Sequence, residues 1–262
     1  MIRETLAKRE AEVQNGFRLR GLKNVSRVEA LSDGVFAFAI TLLVVSLEVP
    51  RTFDDLLVTM RGFLAFAITF ALLFNVWHTQ YKFFRRYGLN DNFVVWMTAL
   101  LLFVVLFYVY PLKFVWTLMV NVVLGFGRTV EVGGQVVPVV RAAQMPTLLA
   151  VYGAGFAAVF VIFALLYGHA YRKRAALELN ELETHDTRSY MQENALMAGV
   201  GLLSVGLALA NRPLSSLLAG LSYWLIGPIQ YLHGSYRGKS RKHLEQRLAG
   251  ASAPALQVSA DT

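Results

Sequence analysis

Residues 27–45 read RVEALSDGVFAFAITLLVV, a short opening with Arg27, Glu29 and Asp33 followed by an apolar run. The charge-free stretch lasts from Gly34 to Leu47 and stops at Glu48 and Pro50. A helix crosses about 30 Å of hydrocarbon in roughly 20 residues, so this segment and its flanks predict a first membrane span at about 29–49. Ionisable side chains at the edge of such a helix are costly unless paired or hydrated, which marks them as functional candidates.

Outward from this stretch, Asp, Glu, Lys and Arg are absent from 62–81, 92–112, 114–127, 142–171, 194–211 and 213–236. The stretch 114–127 follows Pro111 and Lys113, contains Asn121, and is too short to span alone. It reads either as a continuation of the third helix or as an interfacial segment. Six spans remain, at about 29–49, 60–81, 92–115, 146–171, 190–211 and 213–233. Asn211, Arg212 and Pro213 form a break that makes the last two a helical hairpin.

Composition agrees. Of 262 residues 56% are hydrophobic and only 16% charged, against about 25% charged in a typical soluble domain. The absence of cysteine excludes disulfide frameworks, cysteine-ligated zinc and thiol chemistry. The formal charge of +8 fits either nucleic-acid binding or membrane topology, and the position of each basic residue separates the two. With six spans, 19 of the 25 basic residues fall on the side of the termini and 6 on the other. That asymmetry predicts cytoplasmic termini and makes a nucleic-acid partner unnecessary.

The chain then divides into a cytoplasmic N-terminal segment (1–26), a six-helix membrane domain (27–235) and a cytoplasmic C-terminal tail (236–262). Residues 116–144 form an extracytoplasmic loop or interfacial segment. No signal-peptide core precedes the first span, so that span directs insertion. The stretch up to Gln14 reads as helical, Leu177–Thr187 as an acidic helical loop, and the tail from Ala251 as disordered. Residues 128–141 (RTVEVGGQVVPVVR) alternate around Gly133-Gly134 and predict a short hairpin. The first-helix pattern has no second copy, so the chain is one domain.

Arg27 and Asp33 lie about 240° apart around a helix and cannot form an i,i+4 pair. Asp33 needs water or a partner on another helix. The second span offers Asn75, Trp77, His78, Thr79 and Gln80 at its cytoplasmic end. Such a cluster serves helix packing, the shaping of a pore mouth, or both. His78 is also a candidate for pH modulation.

These residues carry a resemblance. Arg27, Leu31, Ser32 and Asp33 followed by GVFAFAITLLVV resemble the R-x-x-x-F-S-D signature and first helix of the transmembrane protein 175 family of potassium channels. The likeness continues through FNVWHTQYKFF, LFYVYPLKF and the closing hairpin, over about 28–235. It implies a potassium-permeable cation channel without a carbonyl-loop filter, and the chain indeed has no T-V-G-Y-G stretch. It further implies a hydrophobic constriction on Phe38, Leu42 and Val45, with Thr41 contributing to potassium preference. Positions 38, 42 and 45 share one helix face with Thr41 alongside. Arg27, Ser32, Asp33, Trp77 and His78 make up the signature polar network. Leu31 replaces the signature's Phe, and Phe38 stands where the family has Ile or Leu, so its larger ring should narrow the path.

By the same resemblance, one repeat implies a homotetramer in a prokaryotic plasma (inner) membrane, crossed several times. The overall expectation is an all-α integral membrane protein around a central pore. Its partners are copies of itself, the bilayer and permeant potassium ions, with no metal and no cofactor. It is not an enzyme, since H-E-x-x-H, G-x-S-x-G and paired membrane carboxylates are missing. Rival readings are a secondary transporter, expected to show broken or duplicated helices, and a non-conducting scaffold.

Weaker signals have plainer explanations. Gly153-Ala154-Gly155-Phe156-Ala157-Ala158 lies inside an apolar span, so small residues for close packing explain it, as they do Gly199, Gly201 and Gly206. His169, His185, His233 and His243 lack i,i+4 metal spacing. Tyr108, Tyr110, Trp116, Tyr223 and Trp224 read as interfacial aromatics.

Overall fold

The computed structural model describes residues 13–14, 16–21, 25–45, 50–125, 129–132, 134–210 and 214–252. Outside them lie the helix expected before residue 13, Lys23, Glu48, Arg128, Gly133, the Asn211-Arg212-Pro213 break and the tail from 253.

Among the described residues the chain is all-helical apart from two small hairpins. Helix α1 spans Arg27–Val45 and opens at Ser26, whose Oγ accepts from Glu29 N at 3.1 Å. That hydroxyl satisfies one of the backbone donors a helix start leaves free. Helix α2 (Phe53–Arg61) begins with a reciprocal cap between Thr52 and Asp55 and stops at Gly62. Helix α3 (Phe63–Tyr87) closes on Gly88, which takes the left-handed φ of 59° and donates to Phe84 O, the usual glycine ending. Asp91 caps α4 (Asn92–Val123).

Helix α4 settles the stretch after Pro111. It runs through the proline for 32 residues, roughly 48 Å at 1.5 Å per residue, so 114–123 continues the third helix and overshoots the hydrocarbon. Proline removes only one intrahelical hydrogen bond, a loss membrane helices tolerate where neighbours pack closely. Beyond it, β3 (Thr129–Val132) and β4 (Gln135–Pro138) pair antiparallel, with Gly134 at φ 77° in the turn. Helices α5 (Met145–Arg172) and α6 (Glu181–Leu209) follow. The acidic loop is turns from Lys173 to Glu178 and becomes helical only at Glu181, where Asn180 and Glu183 cap each other.

The last hydrophobic stretch is not one continuous α-helix. Helix α7 (Ser215–Leu221) passes through a 3-10 turn, Ser222–Leu225, into α8 (Ile226–Ser252). Among the described residues five helices are long and apolar enough to cross a membrane, namely α1, α3, α4, α5 with its preceding turn, and α6. Six spans were expected; the stretch expected at 213–233 is divided between α7, the 3-10 turn and α8 and is not among these five. Helix α8 also carries the chain far past residue 236, so the tail is helical up to Ser252.

The core lies where α1, α3, α4 and α5 meet, around Phe36, Leu43, Leu73, Phe83, Leu101, Val105 and Phe163. Helices α5 and α6 approach closely: a Cβ on Gly201 would sit 2.9 Å from Ala157 N and 3.0 Å from Gly153 O. Gly155 lies against the ring of Tyr108. Gly199 and Gly206, expected to serve the same packing, face open space instead.

Before α1, Val13–Gln14 (β1) pairs antiparallel with Phe17–Arg18 (β2). This corrects the helical reading at its last two residues. Gly16 takes φ 77°, a conformation that reverses the chain and that glycine adopts without steric cost. The turn delivers Phe17 into the core.

Candidate pore helix and its anchors

Helix α1 has two distinct faces. Glu29, Ser32, Phe36, Ala39 and Leu43 are buried against the rest of the chain, spaced by alternating threes and fours as one helical stripe requires. Leu31, Phe38, Thr41 and Val45 face away, with Phe38 56% and Val45 72% exposed. Leu42 is half-buried at the border between the faces. The Thr41 hydroxyl donates to Ala37 O at 2.8 Å. Its proton is thus engaged by its own helix, while the oxygen keeps lone pairs available on the open side.

Two contacts fix the start of this helix to α3. Trp77 Nε1 donates to Asp33 Oδ1 at 2.8 Å, and Ser32 Oγ donates to the buried Gln80 Oε1 at 2.8 Å. Residues 77 and 80 are three apart on α3 and so lie on neighbouring positions of one face. Asp33 therefore has its partner on the second long helix.

The other signature residues sit differently. Arg27 is exposed and, among the described residues, makes no hydrogen bond or ion pair. His78 turns along its own helix, with its ring 6.3 Å from Phe74 and 6.2 Å from Tyr81, both stacked. Thr79 donates to Asn75 O within α3. Trp77 also stacks on Tyr81 at 5.5 Å, and Arg85 Nε donates to the Tyr81 hydroxyl at 3.1 Å. The contact with Asp33 thus continues along α3 to a cation.

A second anchor escaped the sequence reading. Arg20 donates through both terminal nitrogens to Glu183, at 3.1 and 2.8 Å, and through Nε to Leu177 O at 2.7 Å. Arg18 N reaches the same carboxylate at 2.7 Å, and Gly21 N donates to Arg85 O at 3.0 Å. A Cβ on Gly21 would meet Phe84 O at 2.2 Å, so glycine is required for this close approach. Phe17 packs edge-on against Tyr87 at 5.6 Å, and Arg86 lies over Phe17 and Tyr190, 5.0 and 4.6 Å from their ring centres. The N-terminal strap is therefore bolted to α3 and α6 a few residues before α1 begins. The only sequence signals for it were the glycines at 16 and 21.

At the junction of α4 and α5, Asp91 Oδ2 accepts from Lys173 Nζ at 2.7 Å and meets His169 Nε2 at 2.8 Å. Burial alone would push this carboxyl up, but hydrogen bonds from Lys173, His169 and Val94 N outweigh it and hold it well below the usual carboxylate range. Among the described residues no group of three His, Asp or Glu side chains is placed to hold a metal ion.

Residues 27–108, which include all of α1 and α3, match the family described as the endosomal/lysosomal potassium channel TMEM175. A protein of Marivirga tractuosa named "Potassium channel" is 38% identical over 233 residues, covering 88% of this chain and 94% of its own. The chain belongs to the TMEM175 family. Among solved structures it is similar to a threonine-to-alanine variant of the potassium channel MtTMEM175 bound to a nanobody–MBP fusion. There the TM-score is 0.73 and the identity 36%, over 87% of this chain and 99% of that one. A TMEM175 homologue from Chamaesiphon minutus shares the fold, with a TM-score of 0.50 and 22% identity over 80% of this chain and 96% of that one. In TMEM175 terms, the region that the family match covers holds both the open face of α1 and the Asp33–Trp77 contact.

Proposed function

We propose that the chain is a potassium-permeable cation channel of a prokaryotic plasma membrane, in which four copies place α1 around a central path. Phe38, Leu42 and Val45 form a hydrophobic constriction that gates by wetting, and Thr41 supplies a ring of oxygens beside it. Both termini lie in the cytoplasm. The observation that carries this reading is the division of α1: one face locked to α3 and the core, the other bearing Phe38, Thr41 and Val45 exposed, with no partner outside α1 among the described residues. A membrane helix that leaves a threonine oxygen on an unpartnered face, and fixes its register by Ser32–Gln80 and Asp33–Trp77, suits a pore wall.

The relatives' names, both potassium channels, support the choice of ion. The test is flux and reversal potential in reconstituted liposomes, with the oligomer sized in detergent. Wild type should pass potassium in preference to sodium as a tetramer, and Thr41→Val should reduce that preference severalfold. Saturable, proton-coupled uptake would indicate a transporter instead, and an intact tetramer without flux would indicate a scaffold.

A further inference from the structure

Helix α8 carries two populations of cations, and they differ in what they touch. On the side facing α6, Arg237 lies 3.6 Å from Asp186 and 3.9 Å from Glu193, and Arg241 lies 3.7 Å from Asp186 and 3.2 Å from Glu245. His185 meets Ser240 and His233 meets Ser189 O across the same seam. These cations are consumed in holding the two helices together. Lys239 and Lys242 lie on the opposite side and Arg247 on the flank of the seam; all three are exposed, and among the described residues none has an ion-pair partner. The one acid within α8 itself, Glu245, is already taken by Arg241.

The outward side changes character along its length. Tyr231 is 75% exposed, Leu232 66% and Tyr236 74%. Large apolar and aromatic side chains so open to their surroundings belong at a membrane boundary, where tyrosine rings sit at headgroup level. Lys239 follows Tyr236 by three residues, about 4.5 Å along the helix, and Lys242 by about 9 Å. Both lie within about 10 Å, the screening distance of a charged surface at ordinary ionic strength. Two exposed tyrosines and a leucine are thus followed at once by unpaired cations on that same side.

We propose that this outward side of α8 binds anionic phospholipid headgroups of the cytoplasmic leaflet, with Lys239 and Lys242 on the phosphates and Arg247 reinforcing the field. The inference rests on the cytoplasmic placement of the C-terminal segment proposed above. Charge complementarity selects the partner: the site offers uncompensated positive charge at headgroup depth, and each such cation near an anionic leaflet contributes attraction. Arg237 and Arg241 are held away from lipid by their carboxylates.

The test uses purified full-length protein, stripped in detergent and incubated with equal amounts of phosphatidylglycerol and phosphatidylcholine, with retained lipids counted by native mass spectrometry. Wild type should retain phosphatidylglycerol in excess. Lys239→Gln/Lys242→Gln/Arg247→Gln should cut that excess roughly fivefold or more, while Arg51→Gln, a long way from α8 in sequence and on the other side, should leave it unchanged. An unaltered lipid ratio in the triple variant overturns the site. The orientation is checked separately, because the chain has no cysteine and Lys242→Cys is then the sole thiol. Labelling by an impermeant maleimide only after lysis supports the placement. Labelling of intact cells overturns the orientation and this inference with it.

Discussion

Trp77 on α3 donates its indole N–H to the Asp33 carboxylate on α1 at 2.8 Å, and this bond ties the helix that bears Phe38 and Thr41 to its neighbour. Because Asp33 is exposed, its charge is partly screened, and the bond should contribute about 1 kcal/mol. Trp77→Phe keeps the ring and removes the donor. Thermal unfolding should fall accordingly, and a cycle with Asp33→Ala, which removes the acceptor, should show a coupling of about 0.5–1 kcal/mol. Strict additivity would mean that the bond contributes nothing to fixing α1.

The strap offers a larger effect. Glu183 is 1% exposed and accepts from Arg18 N and from both terminal nitrogens of Arg20. Removing one partner of a buried pair leaves the other charge uncompensated, at a cost of about 3 kcal/mol. Glu183→Gln should therefore lower the melting temperature and open the segment around Arg18 and Arg20 to protease. Glu181→Gln, at an exposed position of the same helix turn, should stay within about 0.5 kcal/mol of wild type. Equal behaviour of the two variants would remove the strap from the account.

Asp91 sets an acid limit on stability. Burial opposes its charge, yet Lys173, His169 and Val94 N hold its carboxyl below the ordinary range in the folded chain. A depressed carboxylate contributes stability that is fully present above the unfolded pKa, near 3.9, and is lost as pH falls toward the folded value. Wild type should lose thermal stability steadily below about pH 4. Asp91→Asn should be less stable near neutrality and show a shallower decline in acid. Parallel pH profiles for the two proteins would contradict this assignment.

What could be read in the sequence followed from local rules. Charge-free length located the membrane helices, and Gly133-Gly134 amid alternating residues announced a hairpin whose turn holds Gly134 at φ 77°. The search for a partner for Asp33 reached the right patch of α3, where Asn75, Trp77, His78, Thr79 and Gln80 cluster and Trp77 makes the contact. Three things depended on tertiary contact and stayed hidden. Whether α4 would run on past Pro111 depended on packing around it. The strap depends on Glu183 lying beside Arg20, residues separated by 163 positions. Gly199 and Gly201 look equivalent in sequence, but only Gly201 meets another backbone. Arg27 and His78 belong to the signature, but among the described residues Arg27 makes no hydrogen bond or ion pair and His78 stacks along α3.

The central claim is that ions pass along the open face of α1 and meet their narrowest point at Phe38, whose ring is 56% exposed in the single chain. The direct test is potassium flux into liposomes containing wild type or Phe38→Ala at matched protein density. Replacing the ring by a methyl group should widen and hydrate the constriction, raising flux severalfold while the tetramer stays intact. Flux unchanged from wild type, with the variant folded and assembled, would contradict the placement of the gate.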